Sequence, residues 1–423
     1  MLAKKTDNGK LLCLAALIYI LVFQSPLEEI WAPFSYIDEV VSLLGFLYLA
    51  WEVVVSRNYK FPKYVIVTIV GLVVFSLVGL LGNVLYRYQS WKSVVIDLYT
   101  NLKFFFALLT GCAICSIMDW AVVKKQANIH AKIAVGILFA VFLFDRFVPV
   151  FPGAIRYGIR SAVLFYSHPT YLAGATAFLA SLLMTFYEKK NLPFIAMSLT
   201  MLMFTLRSKA FASVAIFVAL FVFFVLLNRR MKFWHVAVAA AACVIIAWPQ
   251  ISYYFIELGG LSTRSVMHSV AFQIARDYFP IGTGFGTYAS AEAAKAFSPV
   301  YELYNFEYLL RFEVNRQWLG FLNDTFWPII IGQTGVIGTI AYVTALGTLF
   351  AKLWKLQNVH IHTFAAVIYI WGHLLICSTA EPAFNNSTAI PLAIIMGMAL
   401  CAMEKNKFTA LSEKERYLWQ KES

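Results

Sequence analysis

Long apolar runs follow one another along almost the whole chain, and this succession excludes most folds. A helix needs roughly 20 mostly apolar residues to cross a bilayer. Twelve such spans are predicted, over 11–24, 37–55, 63–82, 100–118, 131–145, 168–187, 192–206, 209–228, 234–250, 325–351, 361–379 and 388–403. Of the 423 residues 61% are hydrophobic and 13% charged, where a soluble domain carries about 25% charge. The expected fold class is therefore all-α: a polytopic integral membrane protein. The run from Leu11 to Phe23 lacks a small-residue cleavage site and leads into Gln24-Ser25-Pro26, so it reads as a span and not as a secretory signal. Four regions follow: spans one to nine over 1–250, a large external loop over 251–324, spans ten to twelve over 325–403, and a cytoplasmic tail over 404–423.

Orientation follows from loop lysines and arginines, which favour the cytoplasmic side. With the N-terminus inside, 21 of the 34 basic residues fall on cytoplasmic segments, and both termini are cytoplasmic. The formal net charge of +12 is mostly this topology signal and needs no nucleic-acid partner. The two basic types separate: all lysines but Lys92, Lys103, Lys209 and Lys295 are assigned inside, while Arg87, Arg146, Arg156, Arg160, Arg207, Arg264, Arg276, Arg311 and Arg316 are assigned outside. Arginine's planar fork grips phosphate or carboxylate bidentately, whereas lysine acts as a point charge. An arginine-rich outer face points to an anionic ligand; contact with lipid headgroups or nearby acids is the plainer alternative for any one of them.

The residues from Ile251 to Asp324 form the one long, largely polar stretch, where function tends to sit on a helical scaffold. Ser265 to Phe279 has apolar residues at Val266, Val270, Ile274 and Phe279, as an amphipathic helix lying on the membrane would. Arg264 precedes it, where free N–H groups favour a phosphate. The following Pro280-Ile-Gly-Thr-Gly-Phe-Gly286 has glycines spaced like a dinucleotide fingerprint but no preceding strand, so a Rossmann reading is rejected. Asn323-Asp324 stands at the mouth of the tenth span, followed by Gly332, Gly335 and Gly338, a small face for close helix packing. Asp324 could act as a general base or as a helix N-cap.

Two further connections carry candidates. In the segment from Asp145 to His168, Arg156 and Arg160 are four apart and share one face if helical. His168, just before Pro169, is either a proton shuttle or a hydrogen-bonding cap. Thr205-Leu-Arg207-Ser-Lys209 joins two apolar runs with almost no loop; cations at such a lip pair, face a wet cavity, or snorkel to the interface. The other acids assigned outside are Glu28, Glu29, Asp38, Asp97, Glu257, Glu292, Glu302, Glu307, Glu313 and Glu381. Cys112 and Cys115 have redox-motif spacing without its βαβ setting and read as small buried residues. No metal-ligand cluster and no cofactor motif stands out.

Four stretches together resemble the O-antigen polymerase and O-antigen ligase superfamily: Tyr36-Ile-Asp-Glu39; Phe165-Tyr-Ser-His-Pro-Thr-Tyr-Leu172; Thr205-Leu-Arg-Ser-Lys209; and Arg264 with Phe279-Pro-Ile-Gly-Thr-Gly-Phe-Gly286, then Asn323-Asp324 with Gly335 and Gly338. The resemblance implies a GT-C-like, metal-independent glycosyltransferase of the bacterial cytoplasmic membrane, without cofactor, its site on the outer face. The donor would be an undecaprenyl-diphosphate-linked oligosaccharide; partners would be membrane lipids and a chain-length regulator protein. Arg207 and Arg264 match recurrent arginines of the family, with Arg156 or Arg160 as another. Catalysis is expected from Asp324, Arg207, Arg264 and His168, with Glu313 a further candidate base. Substrate binding is expected from Arg156, Arg160, Lys209, Arg276, Arg311 and Arg316. Ligases of the family tend to show a histidine where this chain has Asp324, which favours a repeat-unit polymerase; ligase and transporter are the alternatives.

Overall fold

Helix α4 (Lys63–Tyr86) shows how the fold is solvated. Its buried positions include Gly71, Phe75, Gly79, Gly82 and Asn83, while Ile66, Val67, Ile69, Val70, Val73 and Leu77 are exposed. Small and polar residues face the protein and branched aliphatics face out, the reverse of a helix in water and the pattern of one in lipid. The computed structural model describes residues 2–56, 62–232, 262–306 and 321–404, with positions 234, 235, 248, 252 and 256. Among the described residues six helices are long and apolar enough to cross a membrane: Lys63–Tyr86, Trp91–Ile117, Trp120–Phe147, Ser208–Leu226, Trp327–Asn358 and Ile361–Ser378. Asn8–Val22 and Gln24–Ile30, bent by 77°, bring the total to seven if they form one broken span. Most of the expected span at 234–250, the tail beyond Glu404, and Arg311, Glu313 and Arg316 lie outside the described residues.

The remaining helices are α1 (Leu2–Val22), α2 (Gln24–Ile30), α3 (Ile37–Ser56), α5 (Trp91–Ile117), α6 (Trp120–Phe147), α7 (Pro169–Thr185), α8 (Leu192–Phe204) and α9 (Ser208–Phe221). After them come α10 (Thr263–Asp277), α11 (Ala291–Ala296), α12 (Pro299–Leu303), α13 (Trp327–Leu353), α14 (Ile361–Ser378) and α15 (Ala389–Glu404). Pro169, Pro193 and Pro328 sit in first turns, where a missing N–H costs nothing. α7 and α15 are buried along nearly their whole length and form the centre of the bundle. α5 meets α15 backbone to backbone. A Cβ on Gly111 would lie 2.0 Å from the Ile394 carbonyl oxygen, and one on Gly397 would lie 1.8 Å from that of Leu108.

In the described part of the polar stretch, the apolar face of α10 turns into the protein. Val266, Met267, Val270 and Ile274 of α10 pack with Tyr288, Tyr301, Phe306, Leu322 and Ile329 into a second core. α10 also packs on α13. Phe279, expected on that apolar face, is 70% exposed instead. Tyr288 and Tyr301 are fully buried and fill this core.

The glycine turn is a structural lock. Gly335 has φ 59° and ψ −157°, a break inside α13, and the turn seats there: a Cβ on Gly335 would lie 2.5 Å from the Gly282 nitrogen. The loop's N–H groups are already engaged: Gly284 donates to the Gln333 carbonyl at 2.8 Å, Phe285 to Asn83 Oδ1 at 2.8 Å and Gly286 to Asp97 Oδ2 at 2.9 Å. The small face of Gly332 and Gly335 therefore receives this loop and Tyr288, not another helix.

Candidate functional site

At one end of the bundle, α8 stops at Phe204 and α9 starts at Ser208. Leu206 makes this short link with φ 52°, a conformation non-glycine residues rarely adopt and one found at functional sites. Its side chain is 5% exposed and anchors the turn, so Arg207, the N-cap of α9, projects from it. The amide of Ala162 donates to the Phe204 carbonyl at 2.7 Å. That bond ties the chain leading to His168 against this turn. His168 is the N-cap of α7, and its Nε2 lies 2.7 Å from Nη2 of Arg207.

Two more strands of chain complete the site. Arg264, in the first turn of α10, donates to Asp324 Oδ2 at 2.8 Å and to the Ala380 carbonyl at 3.4 Å. Lys209, two residues beyond Arg207, is ion-paired with Glu381, just past α14. Arg207 is within electrostatic reach of Arg156, Glu381, Asp324 and Arg264. The connections at residues 156–168, 205–209, 264, 324 and 380–381 thus converge.

Net charge at this convergence is positive. Arg156, Arg207, Lys209 and Arg264 face two carboxylates, each already in an ion pair. Among the described residues no carboxylate pairs with Arg207, whose buried Nε also has no hydrogen-bond partner. Burial, then the charge of Arg156, lowers the Arg207 pKa against the opposing pull of Glu381 and Asp324. His168 is reached by solvent on one side and packed by protein on the other. That partial burial, then the charges of Arg207, Lys209 and Arg156, push its pKa down to about 4. A cation cluster held short of neutrality at a wet helix-end rim is suited to an anion.

Not every expected residue joins it. Arg156 and Arg160 lie on a hairpin, not a helix: Ile155–Arg156 pairs with Ile159–Arg160 antiparallel, Arg156 opposite Ile159. Tyr157 and Gly158 both have positive φ, as the tight two-residue hairpin turn requires. Alternation along a strand then sends the two arginines to opposite faces. Arg160 is spent on structure. With Arg146 it clasps Asp145 (2.9 and 2.8 Å to Oδ2), whose Oδ1 also accepts from the amides of Val150 at 3.1 Å and Phe151 at 3.0 Å. Arg276 pairs with Asp277 at the far end of α10, about 18 Å along the helix from Arg264 at 1.5 Å per residue. Asp324 is not a helix cap; Phe326 occupies that position of α13.

Glu381 is the site residue that the sequence left unsingled among the acids; its place one turn past Cys377 on α14 was the available signal. Lys103 was counted as an outward lysine. It is buried and bridges Asp38 at 2.7 Å and Glu39 at 3.1 Å, with Gln24 donating to Asp38 at 2.7 Å. The acids of the Tyr36–Glu39 stretch are therefore internal ties between α3 and α5. Among the described residues no three His, Cys, Asp or Glu side chains come together as a metal site. Compared with protein-family models and with curated proteins, the chain matches none.

Proposed function

We propose that the chain is a membrane glycosyltransferase that polymerises undecaprenyl-diphosphate-linked oligosaccharide repeat units into O-antigen, capsule or exopolysaccharide. The observation that carries this reading is Arg207, a guanidinium without a carboxylate partner among the described residues, beside His168 and within reach of Arg156 and Arg264. A lipid diphosphate gains charge on its phosphate oxygen as the glycosidic bond breaks, and fixed cations aimed there stabilise that change. Asp324, held by Arg264, is the candidate base for the acceptor hydroxyl. In this reading the protein is GT-C-like with twelve spans, both termini cytoplasmic, and the cation cluster on the outer face of the bacterial cytoplasmic membrane. Membrane lipids and a chain-length regulator protein are its partners.

A ligase would use the same donor site. A transporter would place its charges near mid-membrane on broken helices, and the cations here gather at helix ends. The test is a gel of lipid-linked and surface glycans from cells with and without the protein. Single repeat units upon its loss support the polymerase. Long lipid-linked chains that never reach their final acceptor identify a ligase, and unchanged glycans overturn both.

A further inference from the structure

His168 is contacted by two donors at once. Nδ1 lies 3.3 Å from the amide nitrogen of Thr170, and Nε2 lies 2.7 Å from Nη2 of Arg207. Neither an amide N–H nor a guanidinium can accept a hydrogen bond, and a neutral imidazole has one nitrogen lone pair to offer. The two contacts therefore compete for that lone pair. The shorter one takes it, which places the ring proton on Nδ1, against the Thr170 N–H. An anionic oxygen set between Arg207 and His168 resolves the conflict. It accepts from the guanidinium and from a proton on Nε2, while Nδ1 becomes free to accept from Thr170 and cap α7.

The geometry points to a tautomer exchange: a phosphate-type oxygen engaging Arg207 moves the His168 proton from Nδ1 to Nε2. His168 is then a neutral hydrogen-bond donor to the ligand and not a base. This rests on reading the cluster as an anion site, and it assigns His168 a role different from proton shuttling. The charges acting on the ring are those of Arg207, Lys209 and Arg156, all cationic, and the Thr170 amide faces it from its own helix. These surroundings disfavour an imidazolium.

The test uses the full chain in detergent micelles with ¹⁵N-labelled histidine, His168→Gln identifying the His168 signals. The protein is titrated with inorganic pyrophosphate and, separately, with undecaprenyl diphosphate. With either probe the ring changes from the Nδ1–H to the Nε2–H pattern; a change with the lipid alone assigns the site to a lipid-borne phosphate. Gln retains a donor near the Nε2 position, so His168→Gln binds within about threefold of wild type. His168→Ala weakens binding about tenfold or more, as expected for a lost hydrogen bond to a charged group. An unchanged tautomer, an imidazolium signature in the complex, or equal losses in the Gln and Ala variants overturn the exchange while leaving the anion site standing. Wild-type protein that binds neither probe overturns the anion site and the exchange together.

Discussion

Arg264 and Asp324, sixty residues apart in sequence, meet at 2.8 Å. A cation in the first turn of a helix opposes the helix dipole, which favours acids there. Its cost at α10 is offset by Asp324, and the pair stands at a rim where the side chains are 26% and 40% exposed. Such exposed pairs add little to stability, so the arrangement is better explained by what the two groups do than by what they hold together.

Arg264→Ala and Asp324→Ala should each change unfolding free energy by less than about 1 kcal/mol while abolishing polymer formation. Thermal unfolding in detergent, read beside the glycan ladder from complemented cells, separates the two effects. A normal ladder from either variant would remove that residue from the site. Arg207→Ala is expected to behave as Arg264→Ala does.

Glu381→Gln leaves Lys209 with a neutral neighbour and raises the positive potential at Arg207. A unit charge at a few ångströms in high dielectric is worth about 1 kcal/mol, so pyrophosphate affinity should rise about fivefold. Calorimetric titration at low salt checks the sign, and raised salt should shrink the gain.

Asp145 anchors the hairpin that carries Arg156. Asp145→Ala leaves two partly buried guanidiniums with only backbone carbonyls as acceptors and two amides without their carboxylate, a loss of about 3 kcal/mol, at the low end for a broken buried pair. Limited proteolysis should cut within 148–160 in this variant before any other described connection.

The pKa of His168 lies near 4 in the folded chain, against about 6.5 when unperturbed. The folded state therefore binds fewer protons in between. His168's contribution to stability is present above about pH 6.5 and is lost as pH falls toward 4. Melting temperatures measured from pH 7 to pH 4 should fall less steeply in His168→Gln than in wild type.

Gly335→Ala places a Cβ among backbone atoms of Pro280, Ile281 and Gly282, at a positive φ. Neither the loop nor α13 can yield there, so the variant should be recovered in low amounts or as aggregate on size exclusion. Gly136→Ala, with open space around it, is the matching control.

Helix positions were legible because solvation by lipid acts residue by residue: α13 and α14 follow their apolar runs closely, α10 lies within two residues of its expected start and end, and α5 ends with its run but begins nine residues ahead of it. Arg207 and Arg264 were legible too, since a cation at a helix lip has few ways to be accommodated. The hairpin at Ile155–Arg160 was not. A four-residue spacing fits both a helical turn and a tight hairpin, and the positive φ of Tyr157 carries no composition signal.

The apolar pattern by itself determined that this chain is a bundle of membrane helices and that Arg207 and Arg264 stand at helix ends. Tertiary structure decided which cations meet an acid among the described residues and which do not. Arg160 was consumed by Asp145, Lys209 by Glu381 and Lys103 by Asp38 and Glu39, whereas Arg207 met a histidine and, among the described residues, no acid. Ion pairing decays over a few ångströms, and those distances are set by how helices pack, not by how far apart residues lie along the chain.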